Sequence, residues 1–113
     1  MTNKDLRRWY DLFNRKGFGN KLPGNIEICW HKPLESRNAA ELNSYVDTGK
    51  PIIWINPLFR PAENYATLLL LHEMIHLFLK TKKFPKKIYR SHGKFFKKEQ
   101  KRLERLGIVR YFW

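Results

Sequence analysis

Two histidines and a glutamate stand together in the run His72-Glu73-Met74-Ile75-His76, an H-E-x-x-H pattern. Residues four apart on an α-helix point the same way, one turn apart along the axis. His72 and His76 can therefore aim two imidazoles at one point, with Glu73 beside them. Neutral imidazole is a zinc ligand, and a carboxylate next to the ion is placed to take a proton from water. The residue types and their spacing predict a zinc centre that hydrolyses peptide bonds, with Glu73 as the catalytic base.

The helix that must position these groups is apolar nearly all round. Leu68, Leu69, Leu70, Leu71, Met74, Ile75, Leu77, Phe78 and Leu79 surround them, which is the pattern of a core helix. Two imidazoles and a carboxylate buried there each need a partner, since an unpaired buried polar group costs roughly 2–7 kcal/mol. A metal ion gives all three a role. A catalytic zinc site takes three protein ligands and keeps a fourth position open. His92 is the favoured third ligand. It lies in Ser91-His92-Gly93-Lys94-Phe95-Phe96, at the expected start of the last helix, with Ser91 as N-cap. In that register His92, Phe96, Leu103 and Leu106 form one stripe that packs on the core. His31, which follows Trp30 at the end of an expected strand, stays open as the alternative.

The remaining elements follow from periodicity. Thr2 to Lys16 is expected to be helical, with Leu6, Trp9, Tyr10 and Phe13 on one apolar face, Thr2 as N-cap and Asp5 closing a capping box. Asn25 to His31 alternates as a strand. Ala40 to Val46 and Pro51 to Asn56 are two more, joined as a hairpin through Asp47-Thr48-Gly49-Lys50. Pro61 suits the first turn of the metal helix, which runs to about Lys80. Thr81 to Arg90 reads as a basic loop broken by Pro85, and His92 to about Leu106 as a helix ended by Gly107. The aromatic tail from Ile108 to Trp113 is expected to fold back on the core. The order is then α-β-β-β-α-α, an α+β domain with a small antiparallel sheet packed on helices.

At 113 residues there is room for one domain, 1–113, able to bury about two-thirds of its unfolded surface. No apolar run is long enough for a membrane span, and the residues after Met1 lack the apolar core of a signal peptide. One cysteine, Cys29, excludes an internal disulfide and any cysteine-based zinc knuckle. A cytoplasmic, intracellular protein is the natural expectation. Of the net charge of +13, residues 80–113 carry +11. A small domain needs a magnitude of only about 2–8 for solubility, so the excess predicts a polyanionic partner such as DNA. Lys82, Lys83, Lys86, Lys87, Arg90, Lys94, Lys97, Lys98 and Lys101 are the candidate contacts.

These residues resemble the SprT-like metallopeptidase family, which includes the Spartan-type proteases. The resemblance is carried by His72-Glu73-Met74-Ile75-His76, by His92-Gly93 followed by Phe96, and by Ile55-Asn56-Pro57 closing the strand before the metal helix. It spans roughly Leu6 to Leu106. It implies a zincin-like minimal fold, zinc held by His72, His76 and His92, and Glu73 as the catalytic residue. It also implies cleavage of proteins bound or crosslinked to DNA, with DNA as activator. Family members often add a zinc ribbon after the core; here the lysine-rich segment would have to take over recruitment. Such a minimal version would fit a nucleoid-associated protein or one made by a phage or mobile element in its host cell. Tyr89, Arg90 and Tyr111 are nominated to stabilise the oxyanion. Two rival expectations remain. One is a nucleic-acid-binding module with a closed, structural zinc, its fourth ligand His31 or Glu73. The other is a peptidase of protein substrates with no DNA role.

Overall fold

A computed structural model of the chain describes residues 1–35 and 37–108. Helix α1, Asn3–Gly17, begins at the expected cap: the Thr2 hydroxyl accepts from the Asp5 amide at 3.2 Å, and the Asp5 carboxylate accepts from the Thr2 amide at 2.8 Å. Both orphan donors are satisfied, with Asp in the usual Glu position. Leu6, Tyr10 and Phe13 face the core, while Trp9 sits at the edge of that face, 39% exposed. At the far end a Cβ on Gly17 would stand 2.8 Å from the Leu103 side chain. The absence of one lets α1 approach the last helix closely.

Three strands follow, β1 (Glu27–Trp30), β2 (Ala40–Ser44) and β3 (Pro51–Ile55). The β2–β3 hairpin forms as expected, with Leu42 opposite Ile53, and Gly49 takes a positive φ in its turn. The sheet is mixed rather than antiparallel, because β1 pairs in parallel with β3 and the order is β1-β3-β2. The reason lies in β3. Ile52 and Ile53 point to opposite faces and both are buried, the mark of a central strand. Chain neighbours β1 and β2 therefore flank β3 instead of pairing.

A 3-10 turn, Pro57–Phe59, is capped by the Asn56 side chain. Helix α2, Glu63–Thr81, starts two residues after Pro61 and packs on α1, β2 and β3. From Leu69 to Leu79 every residue but His72 is buried. The expected basic loop contains a short helix, α3 (Lys86–Tyr89), entered through Pro85 at its N-cap. Helix α4, Lys94–Arg105, starts later than expected. Gly93 is its N-cap, and Ser91 instead accepts the Gly93 amide at 2.9 Å. His92 therefore sits on the lead-in loop and not on the helix. Phe96 and Leu103 pack inward, but Leu106 is exposed. Ile108 lies partly buried against the core; the rest of the expected fold-back falls outside the described residues. Among the described residues no helix is long and apolar enough to cross a membrane.

Candidate metal centre

Helix α2 sets His72 and His76 one turn apart, and the loop before α4 brings His92 to them. The three Nε2 atoms form a near-regular triangle: 2.9 Å from His72 to His92, 3.3 Å from His72 to His76, and 3.2 Å from His76 to His92. Four ligands around zinc at about 2.0–2.1 Å are spaced about 3.3 Å apart. The ring of Phe96 lies beneath all three imidazoles, with centroids 4.7, 4.7 and 5.0 Å from His72, His76 and His92. The His-Gly-x-x-Phe spacing thus delivers one ligand and the floor of the site together.

The tautomer of His76 follows from the partner of its other ring nitrogen. The Nδ1–H of His76 donates to the Tyr89 carbonyl at 2.6 Å. Its Nε2 then carries a lone pair toward the other two rings. Burial depresses His72 to about 3, with the neighbouring His76 and His92 adding to the effect. Burial also lowers His76 to about 4, against the bond to Tyr89 and together with His92 and Arg90. Both rings stay neutral, which is the ligand form. Three nitrogens this close cannot all satisfy one another with N–H donors, whereas one cation accepts all three lone pairs. The three histidines lie close enough to hold a metal ion, and an all-imidazole donor set at this spacing fits zinc.

Glu73 is buried in the same cleft, a space of about 290 Å³ between α2 and the open edge of the sheet. Burial raises its carboxyl to about 8; the Arg90 guanidinium and the Leu42 backbone pull it down, and Glu41 pushes it up. Glu73 and the three histidines face β2 across the cleft. The ladder bonds Asn56 N–H to Ala39 and Tyr45 N–H to Lys50 turn odd-numbered residues of this segment toward β3. Ala40, Leu42 and Ser44 therefore present their backbone groups to the outer edge. Arg90 reaches across and donates to the Leu42 carbonyl at 3.1 Å.

Several side chains behave differently from their expected roles. His31 does not join the cluster: it stacks on Trp54 at 4.3 Å, with Nδ1 2.8 Å from the Lys32 carbonyl. Tyr89 acts through its backbone, a role that side-chain reasoning has no means to find. Glu41 was missed. It accepts from Leu34 (2.9 Å), Glu35 (3.2 Å), Asn38 (2.9 Å) and Asn43 (3.2 Å), tying the β1–β2 loop to the cleft rim. Although burial opposes it, those hydrogen bonds hold its carboxyl below the ordinary value. Tyr111 lies outside the described residues. Of the basic candidates, Arg90 belongs to the metal cleft and Lys97 flanks His92 and Phe96. Lys82, Lys83, Lys86, Lys87, Lys94, Lys98 and Lys101 are exposed on α3, α4 and the end of α2. Comparison of the chain with protein-family models, with curated proteins and with solved structures yields no match.

Proposed function

We propose that the chain is a zinc-dependent endopeptidase of SprT-like, zincin-like type. The observation that carries this reading is the juxtaposition of three Nε2 lone pairs with a buried carboxylate, in a cleft walled by a strand edge. His72, His76 and His92 would hold the ion. When bound, zinc supplies an activated water at neutral pH and polarises a carbonyl.

The other work falls to the chain itself. An extended peptide can add to the β2 edge at Ala40 and Ser44, on either side of Leu42, whose own outward groups are held by Arg90 and Glu73, with main-chain hydrogen bonds setting its direction. Glu73, facing that edge, accepts a proton from water and returns it to the leaving amine. A cation beside it lowers its carboxyl from about 8 toward the ionised form that a base requires. Tyr89 fixes the tautomer of His76. Arg90 stands at the cleft with a positive charge, the residue best placed to meet a developing oxyanion.

A closed structural zinc is less well supported, because Glu73 is not among the residues whose ligand atoms converge. The test is Glu73→Gln. Metal content should stay at one equivalent and the fold should persist, while cleavage of an unfolded protein substrate falls by about 10²–10⁴-fold, the usual worth of a general base. Turnover that survives the change removes Glu73 from this role. Running the same assay with and without DNA separates a peptidase acting on DNA-held proteins from one with no DNA role. The strongly basic residues 80–113 favour the former.

A further inference from the structure

Six cations from distant parts of the chain meet in one cleft of about 440 Å³. Arg15, Lys16 and Lys21 come from the end of α1 and the turn after it, Lys82 from the end of α2, and Lys98 and Arg102 from α4. Some of this charge has a structural use. Arg102 donates to Glu99 at 2.7 Å and also to the Gly17 carbonyl. The C-termini of α1 and α2 each present roughly half a negative charge. Counting Glu99 as one more, the local negative charge is about two, which leaves a surplus of about four positive charges. A face built only for solubility intersperses both signs. Here Glu99 is the one carboxylate lining the cleft among the described residues.

The surplus continues along α4. Lys94, Lys98, Lys101 and Arg105 fall at i, i+4, i+7 and i+11, opposite the buried Phe96, Glu99 and Leu103. All four are exposed, and the stripe they form is about 16 Å long. The rings of the cleft are closed to a nucleobase. Phe18 and Phe78 are buried, with Lys82 Nζ 4.5 Å from the centre of the Phe78 ring and the Arg102 guanidinium 5.3 Å from that of Phe18. Stacking, on which single-strand binders depend, has no platform here. A convex cationic helix fits the major groove of B-form DNA, about 12 Å wide, whereas the deep, narrow major groove of RNA excludes it.

We propose that the outer stripe of α4 and the α1–α4 cleft form one docking surface for the phosphate backbone of duplex DNA, independent of base sequence. Arg15, Lys16 and Lys21, remote from the basic end of the chain, are part of it. This cleft and the metal cleft have no lining residue in common. The inference rests on charge and shape and stands apart from the peptidase reading.

Binding of the full Glu73→Gln chain to a labelled DNA duplex, an RNA duplex and a single strand, across about 50–200 mM salt, tests it. Duplex DNA should bind tightest, and its affinity should fall steeply with salt. The triple variant Lys16→Glu, Lys21→Glu, Lys98→Glu should weaken duplex binding at least about tenfold and flatten the salt slope by about 0.9 per lost phosphate contact. The charge-matched control Lys4→Glu, Lys32→Glu, Lys50→Glu should lose far less. Equal losses in the two triples would mean that net charge alone sets binding, and the proposed surface falls. Tighter binding of the RNA duplex or the single strand, or binding indifferent to salt, overturns it as well. Circular dichroism checks that each variant is folded; should the Glu triple not fold, the same three positions as Gln carry the comparison.

Discussion

The candidate metal centre draws on two regions built on opposite principles. Helix α2 is apolar and enclosed, and it holds His72 and His76 in a fixed register one turn apart. The segment from Arg90 to Lys94 is polar and exposed, and it brings His92 in on a loop. The first region gives precision at the cost of burying two imidazoles and a carboxylate. The second gives access, because the ligand that completes the triangle is also the one nearest solvent. The contrast places the enclosed part of the candidate site in α2 and its open part in the loop.

Removal of one ligand from each region should break that contrast open. Both His76→Ala and His92→Ala should cut metal affinity by more than about 100-fold, beyond the 10–100-fold typical of changes to residues behind the ligands. The metal-free proteins should differ. His76→Ala leaves the Tyr89 carbonyl without its donor and hollows the core, at about 1–3 kcal/mol. His92→Ala removes an exposed ring and should leave the metal-free melting temperature unchanged. Elemental analysis paired with thermal melting in chelator reads both. Equal destabilisation by the two changes would show that the loop is as integral to the fold as the helix.

The pH dependence of the metal-free protein sharpens the same comparison, because three groups of the buried region carry large shifts. His72 and His76 fall from 6.5 to about 3 and about 4. Their neutral rings are at no disadvantage above pH 6.5; stability is then lost as pH falls toward 4, because the unfolded chain takes up protons first. Glu73 rises from 4.5 to about 8. Its contribution is intact below pH 4.5 and is lost as pH climbs toward 8. Each proton changes the slope by about 1.4 kcal/mol per pH unit. Below 6.5 two histidines outweigh one carboxyl; above it the carboxyl acts alone. The metal-free protein should be most stable near pH 6.5, and Glu73→Gln should erase the alkaline decline. A decline that persists in Glu73→Gln would place the buried charge elsewhere.

The two regions were also unequally legible from sequence. His72, Glu73 and His76 are fixed by local helical periodicity, and an apolar run as long as Leu68 to Leu79 leaves little choice of element. The capping box at Thr2 and Asp5 is equally local. The lead-in to α4 is ambiguous in the sequence because two residues compete for one end. Ser91 is the better cap by type, yet Gly93 takes the extended cap position while Ser91 ties down the loop. A proline breaks a helix but also suits its start, and α3 begins directly after Pro85. The parallel β1–β3 pairing was hidden because strand order is decided by which strand is buried on both faces. That depends on where α1 and α2 pack. The Tyr89 carbonyl and the outward backbone groups of β2 were invisible for a simpler reason: backbone atoms have no letter in a sequence.

Ser91→Ala probes the loop at its finest grain. The Ser91 hydroxyl accepts the Gly93 amide across His92, closing a two-residue turn that presents the imidazole. A single exposed hydrogen bond contributes about 0.5–1.5 kcal/mol. Its loss should fall on the orientation of His92 and not on the core, since Gly93 still caps α4 through its backbone. Metal affinity should therefore drop by less than about tenfold, with an unchanged metal-free melting temperature. Competition with a chelator of known affinity resolves a change of that size. If affinity is untouched while the metal-free protein melts earlier, Ser91 serves the start of α4 after all, and the loop presents His92 by packing on Phe96 alone.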